Sequence, residues 1–223
     1  MFIRIFTVSI IMFFVADNTF ALKGEEVVEG FKKRMIDIET MKGVISISLS
    51  AGRSYKGVFR YQNPGQIYIK FNKPRGKIIV SNGKKLFIYD SASNVCGIQE
   101  LEKNSESGII GYIDSYIPIL ISRTKSVIIL KLKIKQDVHE SRIESKNNDD
   151  NSYEEDKDEI YPDITLTLDS SFLLKEAFFE NAQGEGFVVS LSGIKTGEKI
   201  VPGFFNFNVP STAQIQKNPL DIR

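Results

Sequence analysis

The chain has 223 residues, 42% hydrophobic and 26% charged, enough for one domain with a real core. A net charge of +1 gives no global reason to look for nucleic acid or an acidic scavenging role. One histidine, His139, and one cysteine, Cys96, exclude an intramolecular disulfide, a histidine-based metal cluster and a Ser-His-Asp triad.

The N-terminus, "MFIRIFTVSIIMFFVADNTFA", has the layout of a secretory signal. Arg4 is the basic start, Ile5 to Val15 the apolar run, and Thr19-Phe20-Ala21 a small-x-small cleavage site. The run is short for a bilayer span. The expectation is cleavage after Ala21, with residues 22–223 forming one exported domain.

Residues 23–41 follow as an amphipathic helix, with Val27, Val28, Phe31, Met35 and Ile38 on one face and Gly43 as its stop. Strands then succeed one another: "VISISLS", "SYKGVFRYQ", "QIYIKF", "KIIVS", "KKLFIYD" and "NVCGIQEL". Turns at Asn63-Pro64-Gly65, around Pro74 and at Asn82-Gly83 join them, so an antiparallel meander is expected. Cys96 reads as a small buried apolar residue in the sixth strand.

Residues 106–122, "ESGIIGYIDSYIPILIS", read as one or two helical turns broken at Pro118. "SVIILKLKIKQDV" is a long strand with Leu130, Leu132 and Ile134 opposite the lysines. Residues 144–159 hold eight acidic and two basic residues and read as a disordered loop between strands. Their spacing is not that of an EF-hand. The rest of the chain is net basic, which favours anionic membrane surfaces if the lysines are more than solubilising. "DITLTLD", "LLKEAFFEN", "GEGFVVSLSGI" and "FFNFNVP" resume the sheet.

The fold class is therefore α+β and mostly antiparallel β. Such a sheet usually wets one face, yet "QIYIKFNKPRGKIIVSNGKKLFIYD" has more apolar residues than one buried face needs. Pattern alone leaves open a packed core or a curved sheet with an apolar concavity. No P-loop or dinucleotide turn, no metal site and no catalytic group stands out, so binding through apolar surface is the expected activity. A carboxylate hydrolase acting on envelope lipid is a weaker rival.

The run "YKGVFRYQNPGQIYIKFNKPRGKIIVSNGKKLFIYD" resembles the signature of the LolA-type periplasmic lipoprotein carriers. Gly57, Pro64, Phe71, Pro74, Ser81-Asn82-Gly83 and Phe87-Ile88-Tyr89-Asp90 occupy its positions, and Phe205-x-Phe207-x-x-Pro210 matches its closing motif. The resemblance implies an unclosed half-barrel covered by the N-terminal helix and a short helical lid, with a hydrophobic cavity. It implies a non-enzymatic, cofactor-free monomer that takes lipoprotein acyl chains from an inner-membrane ABC-type complex to an outer-membrane acceptor. A sensor or interaction domain of the same fold is the alternative.

By the resemblance, Ile67, Ile69 and Phe71 would face the cavity, with Phe59 and Tyr61 beside them and Phe31, Met35 and Ile38 contributing from the helix. For each, ordinary core packing is the competing reading. The family usually has Arg before the first Pro, where it holds the lid closed; Asn63 stands there. A short neutral amide is no guanidinium fork, so lid closure would differ.

Overall fold

The computed structural model describes residues 17–50, 52–101, 113–135, 163–180 and 186–217. Residues 1–16 of the expected leader, the acidic run 144–159 and His139 lie outside them, whereas the expected cleavage site at residues 19–21 falls within them. So do residues 106–112 of the expected helical segment lie outside.

One helix, α1 (Asp17–Asp37), precedes six strands: β1 (Thr40–Leu49), β2 (Ser54–Gln62), β3 (Gln66–Lys73), β4 (Arg75–Asn82), β5 (Lys85–Asp90) and β6 (Val95–Glu100). Five more follow: β7 (Tyr116–Arg123), β8 (Val127–Ile134), β9 (Asp163–Asp169), β10 (Leu174–Glu180) and β11 (Gly186–Thr196). A short β12 (Gln214–Lys217) closes the series. All twelve strands form one sheet in the order β12-β6-β5-β4-β3-β2-β1-β11-β10-β9-β8-β7.

Two antiparallel meanders make this order. The first runs outward from β1 to β6; the second starts at the far edge with β7 and returns until β11 pairs with β1. β12 alone is parallel, beside β6. The edges β12 and β7 are not paired with each other, so the sheet is not closed into a barrel.

α1 lies across one face of the sheet and buries Val27, Val28, Phe31, Met35 and Ile38, as its spacing predicts. Gly24 permits the close approach to β7: a Cβ there would come within 2.6 Å of the Pro118 carbonyl oxygen. Arg34 sits in the last turn, where a cation complements the helix dipole. Lys32 reaches Asp114 at 2.5 Å and Arg123 reaches Glu26 at 3.6 Å, tying the helix to the two ends of β7.

Four local expectations need correction. The helix ends at Asp37, not at residue 41, because Thr40 and Met41 already pair with β2 and β11. Gly43 is consequently no helix stop but a strand residue, where a Cβ would meet the Ser192 carbonyl oxygen at 2.8 Å and the Phe59 ring at 2.9 Å. Residues 116–122 are strand, not helix: the β-branched run around Pro118 pairs with β8, and Pro is tolerated on this edge strand. Finally, "FFNFNVP" is not a strand but an irregular strap, residues 202–210.

That strap accounts for the excess of apolar residues in β3–β5. Register puts Ile69, Ile79 and Ile88 on the inner face toward α1, and Tyr68, Val80 and Phe87 on the outer face. The outer residues are not wet. Phe204 packs edge-on against Tyr68 at 5.1 Å, and Phe207 lies 5.7 Å from Phe87 and 6.0 Å from Tyr89. Val80 and Cys96 are buried beneath this cover, as is Phe205 of the strap itself. Cys96 is the packed apolar residue expected, and burial pushes its thiol pKa up.

Candidate functional site

The inner face is built from cross-strand rows. One row reads Gly43, Phe59, Ile69, Ile79, Ile88 across β1 to β5. The next toward the open end reads Ile45, Gly57, Phe71. Alternation along each strand puts these residues on one face, because successive side chains point to opposite sides.

All eight residues singled out in the sequence belong to this one apolar cluster. Phe31, Met35, Ile38, Phe59, Ile69 and Phe71 are buried, while Tyr61 and Ile67 are half-buried at its margin. Burial pushes the Tyr61 phenol pKa up. Six of the eight thus make tight contact between helix and sheet, and the accessible apolar surface lies on either side of them.

One accessible stretch is the row end away from the helix: Tyr55, Ile47 and Val189 across β2, β1 and β11, then Leu49, Phe187 and Phe179 across β1, β11 and β10. Phe179 and Phe187 stack at 4.6 Å and 13°, and Phe187 retains 37% exposure. Tyr55 meets Phe71 edge-on at 5.6 Å. The other stretch continues through the half-buried Ile67, Ile79, Leu86 and Ile88. A lid and an enclosed chamber are not seen among the described residues.

Sequence reasoning missed Ile47, Tyr55, Phe179, Phe187 and Val189. The doubled phenylalanine in "AFFEN" was the available signal, but only the pairing of β10 with β11 brings Phe179 onto Phe187. Polar groups keep to the margins. Lys77 pairs with Asp90 at 2.5 Å across the β4–β5 hairpin, and that ammonium holds the Asp90 carboxyl below the usual carboxylate range. Among the described residues no cluster of His, Cys, Asp and Glu could hold a metal ion.

Asn63 occupies the turn between β2 and β3. Its side-chain amide donates to the Ile36 carbonyl oxygen in the last turn of α1, at 3.3 Å.

Residues 44–208 match the family model described as outer membrane lipoprotein carrier protein LolA. The chain belongs to the LolA family. An uncharacterized conserved protein from Thermus thermophilus has a similar structure: TM-score 0.55, 9% identity, over 87% of this chain and 99% of that one. A LolA superfamily protein from Nitrosomonas europaea superposes with TM-score 0.42 and 14% identity, over 82% and 96% of the two chains. No curated protein matches the chain in sequence. The unclosed antiparallel sheet with one helix on its inner face agrees with the LolA-like fold. No described helix is long and apolar enough to cross a membrane.

Proposed function

We propose that this protein carries lipoprotein acyl chains through the periplasm, from an inner-membrane ABC-type release complex to an outer-membrane acceptor. In this reading the leader is removed after Ala21 and residues 22–223 act as one carrier domain without enzymatic activity. The match of residues 44–208 to the lipoprotein carrier family carries the proposal. The half-buried apolar rows on the inner face support it.

Acyl chains would lie along Ile47, Tyr55, Phe179, Phe187 and Val189, and beside Tyr61 and Ile67. Each methylene withdrawn from water there contributes about 0.8 kcal/mol. Phe31, Met35, Ile38, Phe59, Ile69 and Phe71 would form the floor, reached by ligand when α1 shifts. Asn63 would control that shift by holding the end of α1. ATP is spent by the donor complex, so the carrier needs only two positions of its cover and a modest affinity gradient.

The test is release of labelled lipoproteins from membranes containing the donor complex. With ATP and the exported protein, a soluble protein–lipoprotein complex is expected. If lipoproteins stay in the membrane fraction, the carrier reading fails.

A further inference from the structure

The outer face carries a separate feature, at the end of the sheet where α1 stops. Register sets Lys195 of β11, Lys42 of β1 and Arg60 of β2 directly across from one another on three adjacent strands. Like charges opposed in this way destabilise a sheet. The loop after β11 brings Lys199 to the same shallow cleft and contributes one carboxylate, Glu198, which pairs with Lys42. Four cations therefore share a single acidic side chain.

Beside the cleft, the chain turns at Val201-Pro202-Gly203, closed by the Phe204 amide donating to the Val201 carbonyl oxygen at 3.1 Å. Phe204 is anchored on the sheet by Tyr68 and lies 4.7 Å under the Arg60 guanidinium. The turn is thus held in place with an apolar tip in water: Val201 is 68% exposed. A cationic cluster next to a projecting apolar side chain is the combination that interfacial binders use, the charges meeting phosphates and the apolar group entering the headgroup–acyl boundary.

We propose that this outer face docks reversibly on anionic phospholipid bilayers. Lys42, Arg60, Lys195 and Lys199 meet the headgroup phosphates, and Val201 inserts beside them. This surface lies on the opposite side of the sheet from the acyl-binding rows, so it works whether or not the inner face carries lipid. An acidic protein would satisfy the cations but gives the exposed Val201 no role.

The experiment is co-sedimentation of the purified, exported protein with vesicles. Binding is expected to phosphatidylglycerol–phosphatidylcholine vesicles, not to phosphatidylcholine alone, and to fall with added sodium chloride. Replacing two cations in Lys195→Gln/Lys199→Gln lowers partitioning roughly 25-fold, and Val201→Asp lowers it as well. Glu198→Gln strengthens it on the phosphatidylglycerol vesicles alone, with thermal unfolding unchanged, a selective gain that separates it from misfolding. Equal binding to both vesicle types, or indifference to these substitutions, overturns the proposal. So does displacement by inorganic phosphate beyond that by chloride at the same ionic strength, which would identify a small-anion pocket.

Discussion

The side-chain amide of Asn63 donates to the carbonyl oxygen of Ile36, tying the β2–β3 turn to the last turn of α1. The Asn63 backbone amide donates to the Glu39 carbonyl oxygen at 2.9 Å, so the turn grips the chain on both sides of the helix end. Carbonyls in a last helical turn need partners from outside the helix. A short amide suffices here because the turn lies directly against that end. Asn63→Ala should cost about 1 kcal/mol and speed amide exchange around Asp37 and Ile38. Unchanged exchange there would show that the side chain does not hold the helix.

The stacked pair Phe179 and Phe187 gives the sharpest test of the inner face. Phe187 is 37% exposed, so Phe187→Ser should leave the fold largely intact, losing about 1 kcal/mol of ring–ring contact. Acyl binding should weaken roughly tenfold or more, because a large apolar contact is removed from the ligand. Titration with a fluorescent fatty acyl probe, alongside thermal unfolding, separates the two effects. Ile69→Glu is a poorer choice: that side chain is 7% exposed within the helix–sheet contact, and a carboxylate there would unfold the protein.

The strand run from β1 to β6 was legible because each turn carries its own chemistry: Asn63-Pro64-Gly65, Pro74 and Asn82-Gly83 sit between clear alternations. The helix face was legible for the same local reason. What could not be read was anything decided by distant pairing. Residues 116–122 are apolar enough for either helix or strand, and only β8 alongside makes them strand. The Phe205–Phe207 motif alternates like a strand but pairs with none, and it spends its rings on the outer face of β3–β6 instead. The accessible apolar row was invisible because Phe187 lies opposite Leu49 and Phe179 only through register.

Acid stability should depend on Asp169. Burial alone would raise its carboxyl pKa, but Ser171 and Lys175 and the backbone amides of Leu173 and Ser171 outweigh it and hold the pKa at about 2. A folded pKa below the unfolded one means the charged form stabilises the fold. That stability is complete above the unfolded value of 3.8 and is lost as pH falls from there through about 2. It amounts to at most about 2 kcal/mol. The carboxylate organises the β9–β10 turn, whose Phe172 packs against the core near α1. Asp169→Asn should destabilise the protein at neutral pH and flatten the loss between pH 4 and 2, as read from urea midpoints. An unaltered acid limb would place the titration elsewhere.

The outer face of β3–β6 stays dry only because the strap covers it, and Cys96 can report on that cover. Its side chain is 0% exposed on the face shared with Tyr89, its cross-strand partner, against which Phe207 packs. The intact protein should therefore react with a maleimide only through opening of the strap, all the more because burial raises the thiol pKa. Phe205→Ala removes a ring that is 4% exposed and should cost about 3–5 kcal/mol. Phe207→Ala, at a half-buried position, should cost less while loosening the strap where it meets Tyr89. Labelling of Cys96 should then rise at least roughly tenfold, since 1.4 kcal/mol of lost local stability multiplies the open population by ten. If labelling instead tracks global unfolding alone in both variants, the strap and the sheet open as one unit, and the outer face is part of the same cooperative core as α1.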